Sequence, residues 1–102
     1  MATILHIDAS ARPGRSDETQ FGSHSRRLSA KFVEAWRTIR PHDTILYRDV
    51  GQTPPAPVTG RWIHSAFTPA DQREAWMHEV LAESDTLVDE LLNADLIVAG
   101  VP

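Results

Sequence analysis

The sequence predicts an α/β fold, about half of a doubly wound parallel sheet, with its elements in the order β-α-β-α-β. Three observations carry this expectation. Short apolar runs rich in β-branched residues recur at 3–7, 44–50 and 95–102. A stretch with apolar residues at helical spacing separates the first two, and a longer one separates the second from the third. Strands joined through helices pair in parallel by right-handed crossovers, and ligands in such sheets sit beyond the strands' carboxyl ends.

The first run, Thr3-Ile4-Leu5-His6-Ile7, fits a buried strand and ends at Asp8-Ala9-Ser10. A polar loop over 11–22 follows, with Arg12-Pro13-Gly14 at its start. Ser23-His24-Ser25 then opens a helix whose apolar face is Leu28, Phe32, Trp36 and Ile39. A strand end beside a helix N-terminus gathers unpaired N–H donors and the positive end of the helix dipole, a setting suited to an anion. Ser10, Ser23 and Ser25 add hydroxyls to both lips of that corner. Arg26 and Arg27 stand in the first helical turn, where the dipole disfavours cations unless an anion is near. The same residues also fit a plain N-cap, a solvated face and a surface turn.

Arg40-Pro41-His42-Asp43 ends the helical period, and Thr44-Ile45-Leu46-Tyr47-Arg48-Asp49-Val50 forms the second strand. Residues 51–67, with Pro54, Pro55, Pro57 and Gly60, are expected to be irregular. The large apolar groups there, Trp62, Ile63 and Phe67, are expected beneath that loop or in a subunit interface. Thr68-Pro69-Ala70-Asp71 has the form of a helix start, predicting a helix over 68–93. Trp76, Val80, Leu87, Val88, Leu91 and Leu92 are its apolar face, and Arg73, Glu74, Glu79 and Glu90 its solvated one. Asp95-Leu96-Ile97-Val98-Ala99-Gly100-Val101-Pro102 is a third strand, apolar throughout as in parallel-sheet interiors.

Composition narrows the function. A chain of 102 residues forms at most one small domain. A net charge of −4, with no basic patch interleaved with aromatics, argues against nucleic acid as a partner. The absence of cysteine excludes thiolate metal sites and thiol catalysis. His6, His24, His42, His64 and His78 are scattered without ligand spacing, so no metal site is predicted; His6 is expected as a paired sheet histidine and the others at the surface. With neither a signal-peptide pattern nor an apolar run of membrane-spanning length, the expectation is a soluble, cytoplasmic chain with no membrane partner. Gly14 and Gly22 are too far apart for a dinucleotide-binding G-x-G-x-x-G turn. A phosphorylatable receiver domain would need an acceptor aspartate where this chain has Gly100-Val101-Pro102, leaving Asp8 as a loop or supporting residue. No acid–base pair or nucleophile stands out, so catalytic residues stay unassigned.

Several motifs occur in one order: Asp8-Ala9-Ser10, Ser23-His24-Ser25-Arg26, Val50 with its proline-rich sequel, Thr68-Pro69, and 94–102. The set resembles the N-terminal half of the FMN-dependent NADH-azoreductase and NAD(P)H:quinone reductase family of flavodoxin-like proteins. The resemblance covers essentially the whole chain and implies one flavodoxin-like FMN-binding domain, represented over 1–102 by its N-terminal half. It implies FMN as cofactor, NADH or NADPH as electron donor, a quinone or azo compound as acceptor, and a homodimer. By the same resemblance Ser10, Ser23, His24 and Ser25 bind the FMN phosphate, His24 through its backbone N–H, with Arg12 pairing charge. In the family a Met-Tyr-Asn-Phe segment that holds the flavin ring follows the third strand, and this sequence stops just before it. The alternative is a truncated, catalytically inactive remnant of that family, acting at most as an association module.

Overall fold

Central to the sheet is β1 (Thr3–Asp8), flanked by β2 (Thr44–Asp49) and β3 (Leu96–Gly100) in the order β2-β1-β3, every pair parallel. The structure, a computed structural model, describes residues 1–102. Register places Asp8 opposite Asp49 on one side and Gly100 on the other, so the three strands end level. Ile4 and Leu5 are 1% and 3% exposed, which makes β1 buried on both its faces. β3 stands at an edge, and its Ile97 is exposed, unlike the sheet interior its apolar run predicts.

Between β1 and β2 runs α1 (His24–Ile39), packed on β1 and β3. Ser23 is its N-cap, accepting at Oγ from the Arg26 N–H at 3.2 Å. The face turned to the sheet is Arg26, Ser29 and Val33, while Leu28, Phe32 and Ile39 of the predicted stripe are exposed. The reason lies in β1, which presents His6 and Asp8 on alternate positions beneath the helix. The helix meets those polar groups with Ser29, whose Oγ donates to Asp8 Oδ1 at 2.7 Å, and with Arg26. At the far end Asp43 gathers the Ala2 N–H, Trp36 Nε1 and Arg40 Nε, closing the turn into β2. The Arg40 guanidinium and those N–H donors hold the Asp43 carboxyl well below its usual range.

The chain divides into two compact units, 1–54 with 93–102, and 55–92. The second holds α2 (Gly60–Phe67), a 3-10 turn (Ala70–Gln72) and most of α3 (Ala75–Asn93). α2 occupies part of the stretch expected to be irregular, because Thr59 caps it by accepting from the Trp62 N–H at 3.1 Å. Thr68, expected as an N-cap, instead lies at α2's C-terminus, with its N–H on Ser65 O. The long helix therefore starts later than predicted, at Ala75, after the 3-10 turn that Pro69 initiates. Arg73, expected in solvent, donates from Nε to Ser65 O and Thr68 O, each at 3.0 Å, and so neutralises α2's C-terminal carbonyls. Trp62 is half-buried with Nε1 on Ser84 Oγ at 2.9 Å, whereas Ile63 and Phe67 are exposed. Met77 and Leu81 are the buried apolar residues of α3. No helix is long and apolar enough to cross a membrane.

Candidate functional site

Above the level ends of the strands a cleft of about 490 Å³ is lined by Ser10, Arg12, Gly22, Ser23, His24, Ser25 and Pro102. All five residues singled out in the sequence thus meet at one place. Ser10 and Ser23 are buried, Ser25 is half-buried, and Arg12 and His24 are exposed.

Local bonding decides what these groups offer. The Ser10 Oγ accepts from the Arg12 N–H at 3.2 Å, leaving its own proton to donate. Ser23 Oγ accepts from the Arg26 N–H and shares a hydrogen bond with Ser25 Oγ at 3.0 Å. The N–H groups of His24 and Ser25 are the first of the helix and have no acceptor within it. Hydroxyl and N–H donors therefore converge at the positive end of a helix dipole. No Asp or Glu side chain lines the cleft. Chemically, this arrangement suits a phosphate group.

The loop 11–22 leaves the cleft open because it folds upon itself. Ser23 N donates to Gly14 O at 2.6 Å and Ser16 N to Ser23 O at 3.1 Å. Gly22 has its backbone against that of Arg15, and any side chain there would collide with the Arg15 carbonyl. Arg15 itself is tied to Asp17 at 2.7 Å and to Glu34 at 2.9 Å, which fastens the loop to α1.

Sequence reasoning missed the polar cluster below the cleft. Arg26, for which a solvated face is one of the two expectations, is only 4% exposed. Its guanidinium meets Asp49 in a bidentate pair at 2.8 and 2.9 Å and lies 3.7 Å from Asp8. The anion that offsets the helix dipole's effect on Arg26 is thus internal. This partner holds the Asp49 carboxyl below its ordinary range. Tyr47 donates to Asp8 Oδ2 at 2.8 Å and stacks at a tilt on His6, ring centroids 4.8 Å apart. His6 is buried, its Nε2 lying 3.3 Å from Asp8 Oδ1, and the other four histidines are exposed. The available signal was positional: Asp8 and Asp49 both close strands next to the central crossover.

The family model described as "Flavodoxin-like fold" matches residues 2–102. An FMN-dependent NADH:quinone oxidoreductase of Nostoc punctiforme is 47% identical over 102 residues, covering 100% of this chain and 46% of that protein. FMN-dependent NADH:quinone oxidoreductase 2 of Idiomarina loihiensis is 41% identical, with 100% and 42% covered. Among solved structures, an azoreductase from Bacillus anthracis superposes with a TM-score of 0.78 at 22% identity, covering 100% of this chain and 47% of that one. The azoreductase AzrA gives 0.78 at 23% identity, with 99% and 47% covered. The chain spans about half the length of the curated relatives it matches. With its three parallel strands, its helices and a family match running over nearly every residue, the chain belongs to the flavodoxin-like fold family.

Proposed function

We propose that this chain is the FMN-phosphate-binding, N-terminal half of a single-domain FMN-dependent NADH:quinone oxidoreductase. The observation that carries the reading is the cleft in which the Ser10, Ser23 and Ser25 hydroxyls meet the free N–H groups of His24 and Ser25. Support comes also from relatives that bear the FMN-dependent name and match the whole chain. The donor set fits a phosphate monoester: serine hydroxyls, a helix N-terminus, and the Arg12 side chain at the rim. Ser10, Ser23 and Ser25 would bind phosphate oxygens through their hydroxyls and His24 through its backbone N–H, and Arg12 would pair its charge. When bound, FMN supplies two-electron transfer from NADH or NADPH to a quinone or azo acceptor, the chemistry being the cofactor's own. In this reading the whole protein works as a cytoplasmic homodimer.

Flavin fluorescence titration tests the phosphate assignment. FMN should bind at least about tenfold more tightly than riboflavin, which has the same ring without the phosphate. Equal affinities would remove the assignment.

A second reading is favoured by one observation. Leu28 and Phe32, together with Val98 and Val101, line an apolar groove of about 260 Å³ on the α1 and β3 surface. A chain with that groove open could associate with other chains without catalysing anything. Binding neither flavin, while forming oligomers in solution, would favour this second reading.

A further inference from the structure

We propose that Arg26 is a positioning residue for the cleft: it holds the carbonyls of Ser10 and Arg12 so that their loop presents donors, not acceptors, to an anion. The inference rests on the phosphate reading above.

A guanidinium has five N–H donors, and in Arg26 every one is used inside the protein. Nε donates to Arg12 O. Nη2 donates to Ser10 O and to Asp49 Oδ1, each at 2.8 Å. Nη1 donates to Asp49 Oδ2 at 2.9 Å and to Tyr47 Oη at 3.1 Å. Nothing is left to donate to a phosphate in the cleft, and the positive charge is met by Asp49 with Asp8 behind it. Arg26 nevertheless touches the cleft wall twice, through the backbone of two lining residues. A carbonyl bonded to a guanidinium is turned away from the cleft, where its partial negative charge would repel an anion. With those carbonyls held, the Arg12 N–H reaches Ser10 Oγ and the Ser10 proton is left to donate. The helix also ties this device to its own anion end, since the Arg26 N–H is the donor that Ser23 Oγ accepts from. Asp49 thereby becomes part of the same device, although it does not line the cleft.

The test titrates inorganic phosphate into the 102-residue chain and follows the backbone amide resonances of His24 and Ser25 by NMR, with the amides of β1 as the control for folding. The variants are Arg26→Lys and Asp49→Asn. Positioning predicts that both weaken phosphate by about tenfold, the equivalent of one lost charge-assisted hydrogen bond. A lysine keeps the charge but cannot span two carbonyls and a carboxylate. If Arg26 instead served the anion directly by its charge, Arg26→Lys would keep the wild-type affinity and Asp49→Asn, freeing the cation, would tighten binding. Either result overturns the proposal. So does an unchanged affinity in variants that merely melt earlier, which leaves Arg26 a structural role alone. If one variant loses the β1 amide pattern, the other decides. A wild-type chain whose His24 and Ser25 amides ignore phosphate would fail at the earlier step, sinking the phosphate reading itself.

Discussion

The hydroxyl of Tyr47 on β2 donates to Asp8 Oδ2 on β1 at 2.8 Å, joining the carboxyl ends of two neighbouring strands beneath the cleft. Burial, and then the Asp8 carboxylate that accepts this bond, push the Tyr47 phenol up to about 12. Tyr47 is the chain's one tyrosine, so its ionisation can be followed without interference from another phenol.

An ultraviolet titration of tyrosinate should therefore show a midpoint well above the ordinary value of about 10. Asp8→Asn should bring it part of the way down, since burial remains. The linkage has a definite sign. A proton held more tightly in the folded state gives stability that is complete below the unfolded midpoint, about 10, and lost as pH rises toward about 12. A phenol titrating at the ordinary value in the folded chain would show that the Tyr47–Asp8 bond is not made in solution.

Acid should act through other groups. Asp49 is held down by Arg26, and Asp43 by Arg40, the Ala2 N–H and Trp36. Both folded values lie below those of the unfolded chain, about 3.9 for a free aspartate. Their stabilisation is whole above that value and disappears as pH falls through the folded ones, because the unfolded chain takes up its protons first. Urea midpoints should thus hold steady from neutrality to about pH 4 and fall below it. Asp43→Asn should flatten the acid limb. A midpoint indifferent to pH through that range would contradict these pairings.

Ser23→Ala separates the two duties of one hydroxyl. As N-cap of α1 it accepts the Arg26 N–H at 3.2 Å, and loss of such a cap costs about 1 kcal/mol. Ser25→Ala removes a hydroxyl that caps nothing, so it should leave the unfolding free energy within about 0.5 kcal/mol of wild type. Both variants should weaken FMN relative to riboflavin. Equal losses of stability in the two would mean that Ser23 is not the cap.

How much of this was legible in the sequence depended on whether the cause was local. The β-branched runs, the cap at Ser23 and the break at Arg40-Pro41 are local, and the strands and α1 lie where these put them. The serines at Ser10, Ser23 and Ser25 were likewise found, because a strand end and a helix start must meet in a βα turn. The contents of α1's inner face were not local. Helical spacing favoured Leu28, Phe32 and Ile39, but the face is chosen by what β1 offers across the gap, and Asp8 selects Ser29 and Arg26. The helix start at Thr68-Pro69 misled for a related reason: Thr68 is already engaged in ending α2. Arg26 and Asp49 stand 23 residues apart, and only the parallel register of β1 and β2 brings them together.

A pair of glycine substitutions gives predictions of opposite sign. Gly51 follows β2, with its N–H on Asp8 O at 3.2 Å, and its α-carbon faces the Ser10 backbone. A methyl group at 51 would run into the Ser10 carbonyl, and because the obstacle is backbone no side-chain rotation relieves it. That carbonyl is one of those Arg26 holds, at 2.8 Å, so displacing it also strains the guanidinium's bonds to Asp49. Gly51→Ala should cost about 1–3 kcal/mol, as overpacking does, and should weaken phosphate binding by shifting Ser10. Gly60, the first residue of α2, has open space where a methyl would go and no positive φ. There alanine removes freedom from the unfolded chain and should stabilise by about 0.4–1 kcal/mol, with flavin and phosphate binding untouched. Urea denaturation of the two variants beside wild type reads both signs in one experiment. A Gly51→Ala chain as stable as wild type, with Ser10 still answering to phosphate, would mean that the turn after β2 does not press on the cleft.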